Sequence, residues 1–159
     1  MLSLFRTARV VTAPSLALVL LAVASPASHA QARGLTWGPA PSIFPSGARM
    51  AVLSGDPARA APYAVQLSMP NGYRVPPHWH PTDEHMVVRQ GTFLVGMGDA
   101  MNPATIKTMR ALKVGESADA KATMHHYAMA RGHTLVDVSG QGPFAMNYVN
   151  PADNPLRRK

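Results

Sequence analysis

The sequence predicts an all-β domain, a closed barrel or a sandwich. Three observations carry that reading. From about Arg49 onward the apolar residues come in short runs. Turn-forming clusters separate the runs at short intervals: Gly55-Asp56-Pro57, Pro70-Asn71-Gly72, Gln90-Gly91, Arg131-Gly132 and Gly140-Gln141-Gly142-Pro143. Only one stretch, Pro103 to Leu112, suits a helix, and that helix would be short. Many short strands at this spacing argue for an antiparallel barrel or sandwich.

The elements follow in order. Gln31 to about Ser46 is rich in Pro and Gly and reads as an extended arm anchored by Trp37. Strands are expected at Arg49–Leu53, Tyr63–Ser68, Arg74–Pro76, Trp79–His80, His85–Arg89 and Thr92–Met97. Further strands are expected at Ser117–Ala122, His126–Ala130, Thr134–Val138 and Phe144–Val149. Arg131-Gly132 reads as a two-residue hairpin turn. Such a turn pairs Ala130 with His133, Ala128 with Leu135 and His126 with Asp137. The closing stretch from Asn150 to Lys159 reads as an irregular tail.

The first thirty residues differ from the rest. Arg6 and Arg9 precede an apolar run from about Ala13 to Ala24, and Ser28-His29-Ala30 fits a small-x-small cleavage site. Residues 1–30 are therefore expected to be a secretory signal peptide, and 31–159 a single exported domain, periplasmic or extracellular. The run is shorter than the ~20 residues of a membrane span and is bounded by Pro14 and Pro26, so no lasting membrane span is expected. The domain has no cysteine and must be held by packing, with a metal as further support. The chain carries a formal charge of +7, and removing Arg6 and Arg9 leaves +5. Its bases are scattered except for Arg157-Arg158-Lys159, so no nucleic-acid partner is expected. No Gly-x-Ser-x-Gly, cysteine nucleophile, phosphate loop or dinucleotide fingerprint is present.

Chemistry concentrates between Gly72 and Gly91. His78, His80 and Glu84 stand at i, i+2 and i+6, with the two glycines bracketing them. On an extended strand, i and i+2 share a face, so two imidazoles can address one point. Glu84 has the same parity and reaches that point if the strand runs on or folds back. Imidazole with carboxylate suits a borderline divalent metal.

These residues resemble the cupins. The first cupin motif is G-x5-H-x-H-x3,4-E-x6-G, and Gly72, His78, His80, Glu84 and Gly91 match it at every defined position. The second is G-x5-P-x-G-x2-H-x3-N. It keeps Gly115 and His126, but Lys121 stands at the proline, Thr123 at the glycine and Ala130 at the asparagine. A β-branched Thr123 resists φ > 0, which puts the motif's tight turn in question. The wording Pro-Pro-His78-Trp-His80-Pro-Thr-Asp-Glu84-His, with Gly142-Pro-Phe and Tyr148-Val-Asn-Pro-Ala-Asp, is similar to small exported single-domain cupins. The likeness runs from about Trp37 to Pro155.

The resemblance implies a cupin-type double-stranded β-helix, or jelly-roll, barrel with at most a short helix. It also implies a divalent metal (Mn, Fe, Zn, Ni or Cu) held by His78, His80, Glu84 and His126. Strand alternation turns His126, Ala128 and Ala130 to one face and His125, Tyr127 and Met129 to the other. A one-residue slip would exchange His126 for His125 as the ligand. The expected hairpin sets Asp137 beside His126, where it could orient a ligand histidine or act as a catalytic base. Methionine is abundant, and its bland role is to fill irregular core gaps.

Two function classes stay open at this level. One is a divalent-metal-dependent enzyme, of oxygenase or isomerase type, acting on a small polar or phenolic molecule. The other is a non-catalytic metal- or ligand-binding module. A homodimer is expected if the arm around Trp37 crosses onto a partner's sheet edge.

Overall fold

A computed structural model describes residues 34–157. The expected leader, residues 1–30, lies outside the described residues. Nine strands form one curled antiparallel sheet: β1 (Gly38–Pro39), β2 (Arg49–Ser54), β3 (Pro62–Met69), β4 (Arg74–Trp79), β5 (Glu84–Met97), β6 (Arg110–Leu112), β7 (Ser117–Ala120), β8 (His126–Gln141) and β9 (Asn147–Tyr148). Neighbours run β1-β2-β3-β8-β4-β9, while β5 pairs with β6, β7 and β8. The expected all-β, cupin-type architecture is therefore present, and α1 (Pro103–Lys107) is its single short α-helix among the described residues. No described helix is long and apolar enough to cross a membrane.

Strand β8 is the spine of the barrel. It pairs with β5 along nearly its whole length, from Met97↔His126 to Glu84↔Gly140. On its other edge it serves β4 near His126 and β3 from Thr134 to Gln141. The expected hairpin at Arg131-Gly132 does not form, because the chain runs straight through it. Gly132 (φ +74°) and Gly91 (φ +74°) instead form a corner where the β5·β8 register shifts. A β-bulge uses the same positive-φ glycine as a tight turn, so the local sequence reads alike for both. Gly91 is required there, since a Cβ would sit 2.5 Å from the His133 carbonyl oxygen.

Alternation along these long strands builds the core. On β8 the even-numbered His126, Ala128, Ala130, Thr134, Val136 and Val138 are buried, and on β3 the odd-numbered Tyr63, Val65, Leu67 and Met69 are. On β5 the buried set shifts from Glu84, Met86 and Val88 to Phe93 and Val95 across the bulge. Each fully buried Val, Leu, Phe or Met contributes about 1.5–3 kcal/mol. A smaller cluster of Leu94, Met109 and Tyr127 forms a second core, with Ile106 of α1 packed against it.

Other elements differ from expectation for local reasons. The helix ends at Lys107, because Arg110–Leu112 pairs with Phe93–Val95 as a strand. Its start is well capped: the Asn102 side chain accepts from the Ala104 and Thr105 N–H groups, and Thr105 Oγ1 accepts from the Asn102 N–H. The two short strands expected around Pro76-Pro77 are one strand, with a register shift between Val75 and His78. Two prolines have no N–H for the ladder, so the strand bulges there and continues. The arm lies on its own chain, with Gly38 and Pro39 paired to Met50 and Arg49. Arg49 also donates to the Trp37 carbonyl (3.2 Å).

The tight turn that Thr123 put in question does form, with Thr123 at φ +64°. Its N–H donates to the His80 carbonyl (2.8 Å), and the neighbouring Ala122 N–H donates to Asp83 Oδ1 (2.8 Å). Tertiary hydrogen bonds hold a β-branched residue where its own preference would not. A left-handed L-residue costs roughly 1–2 kcal/mol, part of which a glycine returns as unfolded-state entropy. Thr123→Gly should therefore raise the unfolding free energy by up to about 1 kcal/mol in denaturant titration. A loss of stability would show instead that the Thr123 hydroxyl bond to Ala122 O outweighs the backbone strain.

Candidate metal centre

The bulge at Pro76-Pro77 decides where His78 points. Val75 and His78 stand three apart, yet both line the same interior cavity. A regular strand would send them to opposite faces, and the extra residue re-aims the second. After His80 the chain turns back through residues 81–83, and Glu84 opens β5 inside the barrel. Asp83 fixes that turn: it accepts from the Ala122 N–H and from Lys121 Nζ (2.8 Å). Lys121, at the position of the motif's proline, thus ties the turn after His80 to the turn before His126. Asp83 was not singled out from the sequence. Its position next to a ligand carboxylate gave no sign of a turn clamp.

His78, His80 and His126 converge, each 5% exposed or less, and their candidate ligand nitrogens lie within 4.8 Å of one another. Each ring is held from behind through Nδ1: His78 to Pro76 O (2.7 Å), His80 to Ala145 O (2.7 Å) and His126 to Met124 O (2.9 Å). A carbonyl oxygen only accepts, so each Nδ1 carries the proton. In the neutral ring Nε2 then presents a lone pair. Nε2 of His80 and of His126 have no hydrogen-bond partner although both are buried. They face Glu84 instead, at 3.4 Å from Oε1 and 3.5 Å from Oε2. Imidazole nitrogens facing a carboxylate in a buried site call for a proton or a metal ion between them, since buried polar atoms are otherwise satisfied. The donor set therefore fits a divalent metal, with nitrogen and oxygen ligands of the kind zinc and its neighbours accept.

The protonation pattern is consistent with this. Burial is the largest influence on His78, and with the nearby His126 and His80 it pushes the imidazole down to about 3, against the opposing effect of Glu84. Burial alone would raise the Glu84 carboxyl, but His126, His80 and His78 outweigh it and hold Glu84 below its usual range. Near neutral pH this leaves a neutral His78 beside a charged Glu84, the forms that bind a cation.

The cavity beside these groups is small, with about 30 Å³ open to the centre of a water-sized sphere, and its other walls are apolar. That is room for a water or two. An aromatic cluster lies beside it, with Phe44 in the cavity wall. Phe144 lies 5.4 Å from the His80 ring, stacks on Phe44 at 5.7 Å and 3°, and meets Tyr63 edge-on at 6.2 Å. Tyr63 was missed in the sequence, since it is far from both motifs and only pairing brings it close. Tyr63 and Glu84 both pair with Gly140, on opposite edges of β8. Burial first, then the Glu84 charge, pushes the Tyr63 hydroxyl up to about 12, so it remains a donor at neutral pH.

The remaining described histidines lie outside. His125 faces away and contacts Asp99 (2.6 Å), which leaves His126 as the inward member of the pair. His85 contacts Asp119 (2.7 Å), and His133 contacts Ser68 (2.8 Å) and Gln90 (3.1 Å). Asp137 is not beside His126, because the hairpin that would have paired them is absent. It pairs with Gln66 and Val87, eleven positions along β8. Its odd parity turns it away from the buried Val136 and Val138. There it accepts from Gln66 Nε2 (2.6 Å) and Arg89 Nε (2.6 Å). The placement of Asp137 as a base or orienting group at the centre is corrected accordingly.

No protein-family model and no curated protein matches the chain. Solved structures do. An oxalate oxidase superposes with a TM-score of 0.51 at 21% identity, over 68% of this chain and 58% of that one. KdgF from Halomonas sp. gives 0.48 at 22% identity, over 60% and 80% of the two chains. An uncharacterised protein with a double-stranded β-helix domain from Klebsiella pneumoniae gives 0.48 at 23%, over 67% and 90%. At this identity the oxalate oxidase likeness shows a shared fold, and that fold is the cupin-type double-stranded β-helix barrel.

The depressed values of His78 and Glu84 have one sign. The unfolded chain takes up their protons at higher pH than the folded chain does, so stability is full above about pH 6.5 and falls as the pH drops below it. Metal-free protein should lose about 1.4 kcal/mol per pH unit through His78 as the pH falls from about 6.5 toward 3, and Glu84 adds to the loss only below about 4.5. Denaturant midpoints measured across that range check this, and a flat profile would contradict the buried neutral imidazole.

Proposed function

We propose that the chain is an exported metal-binding cupin, and that His78, His80, Glu84 and His126 hold the divalent ion of a metal-dependent enzyme. The reaction is of oxygenase or isomerase type, on a small polar or phenolic molecule. The observation that carries this reading is the set of buried Nε2 lone pairs and a carboxylate aimed at one point beside an apolar cavity. Mn, Fe, Zn, Ni and Cu all suit three nitrogens and one oxygen. When bound, the ion would supply Lewis acidity or oxygen activation at positions the four side chains leave free. The chain's own residues do the rest. The apolar walls limit water to one or two molecules, Glu84 would neutralise part of the ion's charge, and Tyr63 stays protonated in the aromatic cluster beside the site. The oxalate oxidase that shares this barrel is an enzyme by its description, which supports a catalytic use of the fold. Export rests on the leader pattern of residues 1–30.

A second reading, a metal- or ligand-binding module without turnover, is favoured by one observation. Asp137, the expected base, is engaged outside the barrel with Arg89 and Gln66. Homodimer formation belongs to the proposal as well. Beyond Met50 the outer edge of β2 is unpaired among the described residues and carries Val52 and Leu53, 47% and 38% exposed, where a second copy could add a strand.

Metal analysis of protein purified from its native compartment is the first test. The wild type should carry close to one equivalent, and His80→Ala and His126→Ala should lose most of it while keeping a cooperative melt. Asp137→Asn should keep it. Full metal retention in both histidine variants would remove the assignment. A redox-active metal with oxygen uptake on a panel of phenols would support the enzyme. Zinc with no turnover would support the binding module.

A further inference from the structure

One side chain of an irregular loop borders the metal cavity. Between β1 and β2, residues 40–48 form a loop without regular structure. Its base is closed by the Ala40 N–H donating to Ala48 O (3.0 Å), so it can move as one piece. Phe44 projects inward from its tip and borders the metal cavity together with His78, Glu84 and His126. Phe44 also borders a separate recess of about 410 Å³, lined by the loop itself with Pro155 and Leu156. Among the described residues it is the one that borders both spaces. Two tyrosine hydroxyls hold the loop down: Tyr73 donates to Pro45 O (2.6 Å) and Tyr148 donates to Ile43 O (2.7 Å).

The manner of Phe44's seating shows what would replace it. Its ring is parallel to Phe144 at 5.7 Å, a stacked geometry within the favoured range of about 4.5–7 Å. Phe144 also contacts the His80 ring, so a ring stacked in Phe44's place lies next to the metal ligands. We propose that Phe44 is a movable plug in the aromatic subsite of the metal chamber, and that the ligand displacing it is a small phenol stacked on Phe144 with its oxygen toward the His78–His80–Glu84–His126 cluster. This rests on the metal-centre reading and adds the ligand class and the route of entry. Displacing Phe44 joins the cavity to the recess, which gives a monocyclic phenol the volume the closed chamber lacks. The apolar and aromatic walls match a ring and leave the hydroxyl groups of a sugar acid unpaired, a costly burial. Because the ligand must first displace the plug, wild-type affinity is lowered by the fraction of time the loop is shut.

The test uses the full chain incubated with zinc, which brings no redox chemistry. Met69, Met86 and Met146 are buried around the chamber and report its opening to peroxide, while Met97, 51% exposed, is the internal reference. In Phe44→Ala, oxidation of Met86 and Met146 read by mass spectrometry should rise at least tenfold, with Met97 unchanged. 4-Nitrocatechol should bind this variant about tenfold more tightly than the wild type, and galacturonate should bind neither. If Phe44→Ala does not melt cooperatively, the double variant Tyr73→Phe with Tyr148→Phe keeps the packing, removes both latches and should show the same rise. Unchanged methionine oxidation in the well-folded variant would overturn the plug. Galacturonate binding in preference to 4-nitrocatechol would overturn the ligand class. Failure of the metal-centre reading shows separately, as absence of zinc uptake in the wild type, with the methionine readout still deciding the plug.

Discussion

Four electron-rich groups point at one place in a dry interior, and the barrel is arranged around that constraint. The imidazoles of His78, His80 and His126 are each held from behind by a backbone carbonyl, and Glu84 faces two of them. Without a cation these groups repel one another and leave buried lone pairs unmatched, a costly condition in a low-dielectric interior. Much of the surrounding structure serves to hold them together. The proline bulge turns His78 inward, and Asp83 clamps the turn that brings Glu84 back to the imidazoles. The strained Thr123 is bonded to the carbonyl of His80 itself. Metal binding and folding would be coupled in such a centre, since the ion relieves a conflict that packing alone maintains.

The long β5·β8 pair decides what shares the interior with this centre. Its corner at Gly91 and Gly132 lets β8 serve β4 on one stretch and β3 on the next, so one strand contributes both a ligand, His126, and the wall that holds Tyr63. Even parity survives along β8 from His126 to Val138, which commits Asp137 to the outer face. There Arg89 and Gln66 occupy both its oxygens.

Access then becomes the remaining degree of freedom. The apolar chamber beside the histidines and Glu84 has room for only a water or two, and Phe44, stacked on Phe144, forms part of its wall. Most of the barrel is fixed by ladder hydrogen bonds and core packing. The loop carrying Phe44 is held by hydrogen bonds at its base and flanks and by Phe44 and Ala48 packed in the core, and an open recess lies beside it.

The sequence by itself determined the all-β class, the cupin motifs and the four side chains that meet at the centre, because each rests on local order. Turn residues punctuate the strands, period-two alternation assigns faces, and motif spacing counts the ligands. Thr123 shows the limit of local order: its β-branched side chain argued against the turn that hydrogen bonds to His80 and Asp83 enforce. Arg131-Gly132 shows it again, since a positive-φ glycine fits a hairpin and a bulge equally well. Only the pairing of β8 with β5 on one side, and with β4 and β3 on the other, distinguished them. That pairing moved Asp137 out of the site and brought Tyr63 toward it. Phe44 belongs to the same class, distant in sequence from the four site residues yet bordering the same cavity as His78, Glu84 and His126. Contacts of that kind depend on which strands become neighbours, and only the folded chain decides that.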